Sequence, residues 1–363
     1  MPNRLRTLLV PLAVLALVAA ACGDSGGPGD GSGSPAPECT SDLKVGVSLD
    51  VGGLGDKSFN DAAKAGLDKA IADGLVCEEN TKFLESNAEG SNRDENTINL
   101  ADAGYNLVWA NGFAFSEDIA KIAPDYPDVE FAVQDGFAHF LFGSGEGGTG
   151  AANKNVLDVT FEENTGSYLV GIAAAMTTKT GKVGFLGGQE GTGLIEKFQA
   201  GYEAGVKSVD STIEVLVEYI GDSTAAFVDQ TKGEALSAAM YDNGADVIYH
   251  AAGQSGLGLF KAAVEHDGIA IGVDSDQYLT ASPEEQPHIL TSMLKRVDVA
   301  IYNVIKSAGE GTFEPGGMVL TMADDGVAYG SGAPHLLTDE IKAAMDAARE
   351  KIVAGQVKVP TEP

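Results

Sequence analysis

Short apolar runs alternate with longer segments whose apolar residues recur at helical spacing, and no other feature restricts the fold of this chain as much. Strands are expected at residues 43–49, 82–86, 107–110 and 130–134, separated by helices at 60–73, 93–103 and 116–126. Strands separated by single helices require right-handed crossovers and a parallel sheet. The run at 156–161 reads as a strand leading elsewhere, after which the pattern restarts. Helices are expected at 166–176, 196–208, 230–242 and 257–266, with strands at 182–186, 213–219, 247–250 and 269–273 between and after them. A further strand at 289–293, a helix at 297–307, a short strand near 318–321 and a helix at 338–354 complete the chain. That is more crossovers than one sheet needs, so the expectation is two α/β domains of similar build joined by several segments.

With 363 residues, 44% of them hydrophobic, the chain is long enough for two such cores. Lys+Arg 23 against Asp+Glu 53 gives a formal charge of -30. Nucleic acid is thereby excluded as a partner, because phosphate binding needs a basic surface. Arg4 and Arg6 precede an almost wholly apolar stretch, residues 8–21, that ends in small residues before Cys22. The stretch is shorter than the roughly 20 apolar residues of a spanning helix and reads as a leader, residues 1–21. AAAC resembles a lipobox, so Cys22 is expected to carry lipid and hold the protein on the extracytoplasmic face of the cell membrane. Residues 22–40 then form a flexible tether rich in glycine, serine and proline. Cys39 and Cys77 each precede a strand. Adjacent parallel strands start at one sheet edge, so a disulfide between them is geometrically reasonable in an oxidising compartment, two thiols being the alternative.

The stretch DVGGLGDKSFN, residues 50–60, follows the first strand and precedes the first helix. Open α/β sheets place ligands where strands empty into such turns. Asp50, Phe59 and Asn60 are its candidate ligand contacts, Ser58 is expected to cap the helix, and Asp56 has no assigned role. The five histidines show no metal spacing, no Cys-x-x-Cys occurs, and GGQEGTG at 187–193 lacks the lysine and hydroxyl of a phosphate loop. No nucleophile elbow is present. The chain is therefore expected to need no metal or cofactor, to hold no catalytic residues and not to be an enzyme.

Five co-linear segments carry a family resemblance: DVGGLGDKSFN, GFAFSEDIAKIAPDYPDVEFAVQD, NVLDVTFEENTGSYLVGIAAA, GVDSDQ and TSMLKRVDVA. Together they resemble the basic membrane protein lipoproteins, whose best understood members are similar to a purine nucleoside receptor of ABC importers. The resemblance implies a type I periplasmic-binding-protein fold, with two doubly wound, Rossmann-like α/β domains, three crossovers and a ligand enclosed between the two lobes. It divides the chain into 41–156 plus 278–312 and 157–277 plus 313–357. It implies a purine nucleoside such as inosine, guanosine or adenosine, hinge closure, a permease partner and a monomer; the alternatives are a sugar or other small metabolite, or an extracellular nucleoside-processing enzyme. By the same resemblance Phe59 and Phe227 stack on the two faces of the base, and Asn60 and Asp135 meet its edge. Asp50, Asp274 and Lys295 hold the ribose, with Gly253 allowing close backbone approach. Around Phe227 the sequence AAFVDQ departs from the family pattern, with Ala225 and Ala226 for Gly-Ser and Gln230 for proline.

Overall fold

The computed structural model describes residues 39–142 and 152–363. The leader, Cys22, most of the tether and the glycine-rich loop at 143–150 lie outside the described residues. Twelve strands and ten helices follow in chain order. The first part runs β1 (Val45–Leu49), α1 (Phe59–Ala72), β2 (Thr81–Glu85), α2 (Arg93–Asp102), β3 (Leu107–Asn111), α3 (Ser116–Ile122), β4 (Glu130–Gln134) and β5 (Val156–Phe161). The second runs α4 (Glu163–Thr177), β6 (Lys182–Gln189), α5 (Leu194–Val209), β7 (Glu214–Gly221), α6 (Gln230–Asp242), β8 (Val247–Ala251), α7 (Leu257–His266), β9 (Ile269–Asp274), the short α8 (Gln277–Thr280) and β10 (Ile289–Lys295). Then come α9 (Val297–Gly309), β11 (Gly316–Leu320), β12 (Val327–Tyr329) and α10 (Asp339–Val353).

Two six-stranded sheets result, ordered β11-β5-β4-β3-β1-β2 and β12-β10-β9-β8-β6-β7. All pairings are parallel except β10 with β12. The sequence dictates which strands are central. β1, β3 and β8 are buried at every residue, as strands covered by helices on both faces must be, whereas β2 and β7 mix in exposed positions and lie at the edges. Apart from the last strand of each, both sheets repeat one doubly wound order, in which ligands bind beyond the carboxyl ends of the strands where the winding reverses.

Three segments link the lobes, at 161–163, 295–297 and 320–327, because β5 and β11 belong to the first sheet and β10 and β12 to the second. They are tied to one another: the Glu162 amide donates to the Leu320 carbonyl at 3.1 Å and the Arg296 amide to that of Gly326 at 2.9 Å. The expected boundaries at 278 and 313 fail on two strands. β10, expected in the first lobe, pairs with β9 in the second sheet, and β11, expected in the second, pairs with β5 in the first. Helix α9, packed on α1, does belong to the first lobe, and α10 packs on α4 in the second. Periodicity identifies a strand but carries no information on which open sheet edge will receive it. Strand β12 was not expected either; three residues are too few to show a period. Cys39 and Cys77 are joined in a disulfide with Cα atoms 5.5 Å apart.

Candidate functional site

A cavity of about 630 Å³, including its open mouth, lies between the carboxyl ends of the two sheets. Asp50, Phe59, Asn60, Asp135, Phe227, Gly253, Asp274 and Lys295 all line it, so the eight candidate residues, spread over positions 50–295 of the sequence, are brought together.

On the first-lobe side, Asp50 follows β1. Its Oδ1 accepts from the Val51 amide at 2.7 Å and from Arg93 Nε at 2.8 Å. Its Oδ2 faces Gly112, where a Cβ would sit 2.6 Å from that oxygen. Burial raises the Asp50 carboxyl above its ordinary value, opposed by the Arg93 guanidinium. Beside it, Asn60 is held in one orientation. Its Oδ1 accepts from Asn111 Nδ2 at 3.0 Å, and Asn111 in turn accepts from Trp109 Nε1 at 2.9 Å.

The cap of α1 differs from expectation. Asp56, not Ser58, accepts the backbone amides of Ser58, Asn60 and Asp61, at 3.0, 2.8 and 3.1 Å. A carboxylate three residues before the first helical residue reaches several free amides at once, and this releases the Ser58 hydroxyl. That hydroxyl donates instead to Asp274 Oδ2 at 2.6 Å, and Ser275 Oγ returns a bond to the Ser58 carbonyl at 2.9 Å. These bonds cross from one lobe to the other. Burial pushes the Asp56 carboxyl up to about 6.

At the opposite end of the cavity the charged groups converge. Asp135 and Asp274 end β4 and β9, equivalent strands of the two lobes, and both adopt left-handed backbone with φ of 57° and 63°. Such a conformation is uncommon outside glycine and marks functional turns. Lys295 Nζ lies 2.7 Å from Asp135 and 3.1 Å from Glu163 Oε1. Burial works against the Lys295 cation, yet Asp135, Glu163 and Asp274 outweigh it and raise its pKa. Burial raises Asp135, opposed by Lys295 and reinforced by Glu163. Burial also takes Asp274 up to about 6 against the pull of Lys295 and the Ser58 hydroxyl.

This geometry regroups the polar contacts. The resemblance put Asn60 and Asp135 at the base edge and Asp50, Asp274 and Lys295 at the ribose. In the structure Asp135 is ion-paired with Lys295 beside Asp274, while Asp50 and Asn60 share the turn after β1. Strand order is the reason: β1 and β3 are neighbours in one sheet, whereas β4, β9 and β10 converge near the crossovers. The aromatic residues come one from each lobe. Phe59 opens α1 and is half-buried; Phe227 ends the turn at 224–227 and is also half-buried. The ring of Phe227 leaves no room for a Cβ at Gly188, which would meet it at 2.3 Å. The missing proline does not displace it, because Asp229 caps α6 by accepting the Lys232 amide at 2.9 Å.

Sequence reasoning missed Phe113 and Phe198, which also line the cavity, and Arg93, Glu163 and Lys197, which support it from outside. Phe198 lies on the apolar face of its helix, where core and cavity read alike. Arg93 and Lys197 sit among other polar helix residues with nothing to single them out. Among the described residues no cluster of His, Cys, Asp and Glu suits a metal ion, and no helix is long and apolar enough to cross a membrane.

Known proteins agree with this architecture. A solute-binding protein of an ABC transporter system from Aeropyrum pernix superposes with a TM-score of 0.70 at 25% identity, covering 88% of this chain and 93% of that one. The CD4+ T-cell-stimulating antigen of Listeria monocytogenes is 33% identical over 99% of both chains. A Lactococcus lactis protein named ABC transporter nucleoside-binding protein BmpA is 33% identical over 88% of this chain and 90% of its own. Basic membrane protein A of Borreliella burgdorferi is 33% identical over 88% of each. Residues 43–362 match the family described as ABC transporter substrate-binding protein PnrA-like, and with two doubly wound lobes about one cleft the chain belongs to this Bmp family of substrate-binding proteins.

Proposed function

We propose that this substrate-binding protein captures a purine nucleoside by hinge closure and hands it to an ABC permease. The family's members are binding components of transporters, and the chain is not an enzyme. The observation that carries the nucleoside reading is one cavity holding an aromatic residue from each lobe and a carboxylate-ammonium cluster at one end. In this reading the base stacks between Phe59 and Phe227, each contributing roughly 1–3 kcal/mol. Asp50 and Asn60 meet the base edge. The vicinal hydroxyls of ribose donate to Asp274 and Asp135, and the Lys295 ammonium offsets the buried negative charge. The relative from Lactococcus lactis, named as nucleoside-binding, supports the ligand class.

Location follows the same reading. A leader cleaved before Cys22 and lipid on that cysteine hold the protein, as a monomer, at the extracytoplasmic face of the membrane. Cys22→Ala is expected to release the protein from the membrane fraction, seen by fractionation and by loss of the lipid mass. Calorimetry against inosine, guanosine, adenosine, uridine and ribose tests the ligand. Purine nucleosides are expected to bind far more tightly than ribose; binding of ribose with no response to any purine nucleoside sinks the proposal.

A further inference from the structure

We propose that Glu163, which lies outside the cavity, is a positioning residue for ligand binding: from the first crossover it clamps the Lys295 ammonium against Asp135 at the end of the cleft. The proposal rests on the cavity being the ligand site. Glu163 is the first residue of the 15-residue helix α4, where the helix dipole favours a negative charge. It is wholly buried, and its two oxygens face two cations, Lys295 at 3.1 Å and Lys197 at 2.7 Å. Lys197, on α5, also donates to the Phe161 carbonyl at the same crossover. Burial works to raise the Glu163 carboxyl, but the two ammoniums bring it below its ordinary value, so it is ionised.

Lys295 carries a flexible stem and three N–H donors. Held by Asp135 alone, its ammonium would be free to pivot. Held also by Glu163, and surrounded by the rings of Phe59, Phe161 and Phe198 at 5.6, 5.4 and 5.4 Å, it has one defined place. Asp135 accepts one donor, and Glu163 acts on the ammonium as an ion-pair partner at 3.1 Å without accepting a hydrogen bond from it, which leaves N–H for a ligand oxygen. Glu163 opens α4 and Lys295 ends β10, both where second-lobe elements meet a crossover, and Asp135 follows β4 of the first lobe, so the cluster ties the cation to both lobes beside the crossovers. Glu163 further sets the charge balance: its negative charge opposes ionisation of Asp135, and Lys295 and Lys197 balance two of the three carboxylates, Asp135, Glu163 and Asp274.

Three variants test this. Glu163→Gln keeps the volume and removes the charge; it is expected to weaken inosine binding about tenfold or more at pH 7.5, the scale of one charged hydrogen bond. Its acid-side loss of affinity should move to lower pH, because Asp135 then ionises more easily. Lys197→Gln removes the outer partner while leaving Glu163 on Lys295, and should alter melting temperature with little change in affinity or pH profile. If Glu163→Gln fails to fold, Glu163→Gln with Lys197→Gln removes a balanced pair and should show the same loss of affinity. A folded Glu163 variant with wild-type affinity and an unmoved pH profile overturns the proposal. A readout without ligand separates it from the nucleoside reading: carbon-detected NMR titration of the Asp135 carboxyl, expected at lower pH in the variant. If the wild type binds no nucleoside, that reading fails by itself, and an unmoved Asp135 titration would then reject the role of Glu163.

Discussion

Asp274 concentrates what a single residue contributes. Its left-handed backbone turns the carboxylate into the cleft at the end of β9, and Ser58 of the other lobe donates to it. The groups facing it are Ser58, Lys295, Asp135 and Asp56, and the balance leaves its pKa near 6 in place of 3.8. Hydroxyl donors bind the ionised form, so nucleoside affinity should fall as pH drops below about 6, and Asp274→Asn should bind weakly at pH 7.5 with that acid limb flattened. Stability of the free protein has the opposite sign. Between the unfolded value and about 6 the native state holds more protons, so stability rises as pH falls through that window, for Asp274 and Asp56 alike. Thermal melts of the wild type and Asp274→Asn, with and without inosine, at pH 7.5 and pH 5 check both signs: relative to the variant the free wild type should gain stability at pH 5, and its ligand-induced shift should be smaller there. Phe59→Ala or Phe227→Ala should each cost roughly 1–3 kcal/mol of binding, about 5- to 150-fold by calorimetry, with little change in melting temperature for these half-buried rings.

At the scale of elements, the contact of α4 with α5 positions the hinge charges. A Cβ at Gly201 would lie 2.0 Å from the Asn164 carbonyl, and one at Gly205 would lie 2.1 Å from that of Tyr168. The two helix backbones therefore touch, and this brings Lys197 of α5 onto Glu163 of α4. Gly201→Ala should push the helices apart, costing on the order of 1–3 kcal/mol by overpacking, read by chemical denaturation. The disulfide is independent of the site. It closes a loop of 38 residues ahead of β2, and its reduction should cost about 4 kcal/mol by chain entropy, lowering the melting temperature while affinity of the folded protein is unchanged.

Across the whole molecule the lobes are joined in two ways. Three crossovers link them, and the Lys57–Ser58 segment also bonds directly to the second lobe through Asp274, Ser275 and the Thr280 carbonyl, the last at 3.1 Å from Lys57 Nζ. If the protein closes on its ligand as proposed, ligand shifts the equilibrium only through contacts made better in the closed form, and the Ser58 bond to Asp274, which joins the two lobes, is expected to be one of them. Small-angle scattering should show a smaller radius of gyration with inosine than without. Ser58→Ala should leave the liganded value unchanged and move the free protein toward the larger one.

The order of strands and helices, the two-lobed class and the turn carrying Asp50, Phe59 and Asn60 were legible in the sequence, because alternating periods and strand-end turns are local signals; Asp135, Phe227, Gly253, Asp274 and Lys295, which line the same cavity, came from the family resemblance. The family motifs added which of those turns belong together. Local signals did not reveal that β10 joins the second sheet and β11 the first, since an apolar strand is the same at either edge until packing chooses. Nor did they reveal that Asp56 caps α1 and frees Ser58, that Arg93 pairs with Asp50, or that Asp135 belongs with Lys295. Those are matters of distance between residues far apart in the chain. Charges buried together are tolerated only when each finds a partner, and the partners are decided by the tertiary structure alone.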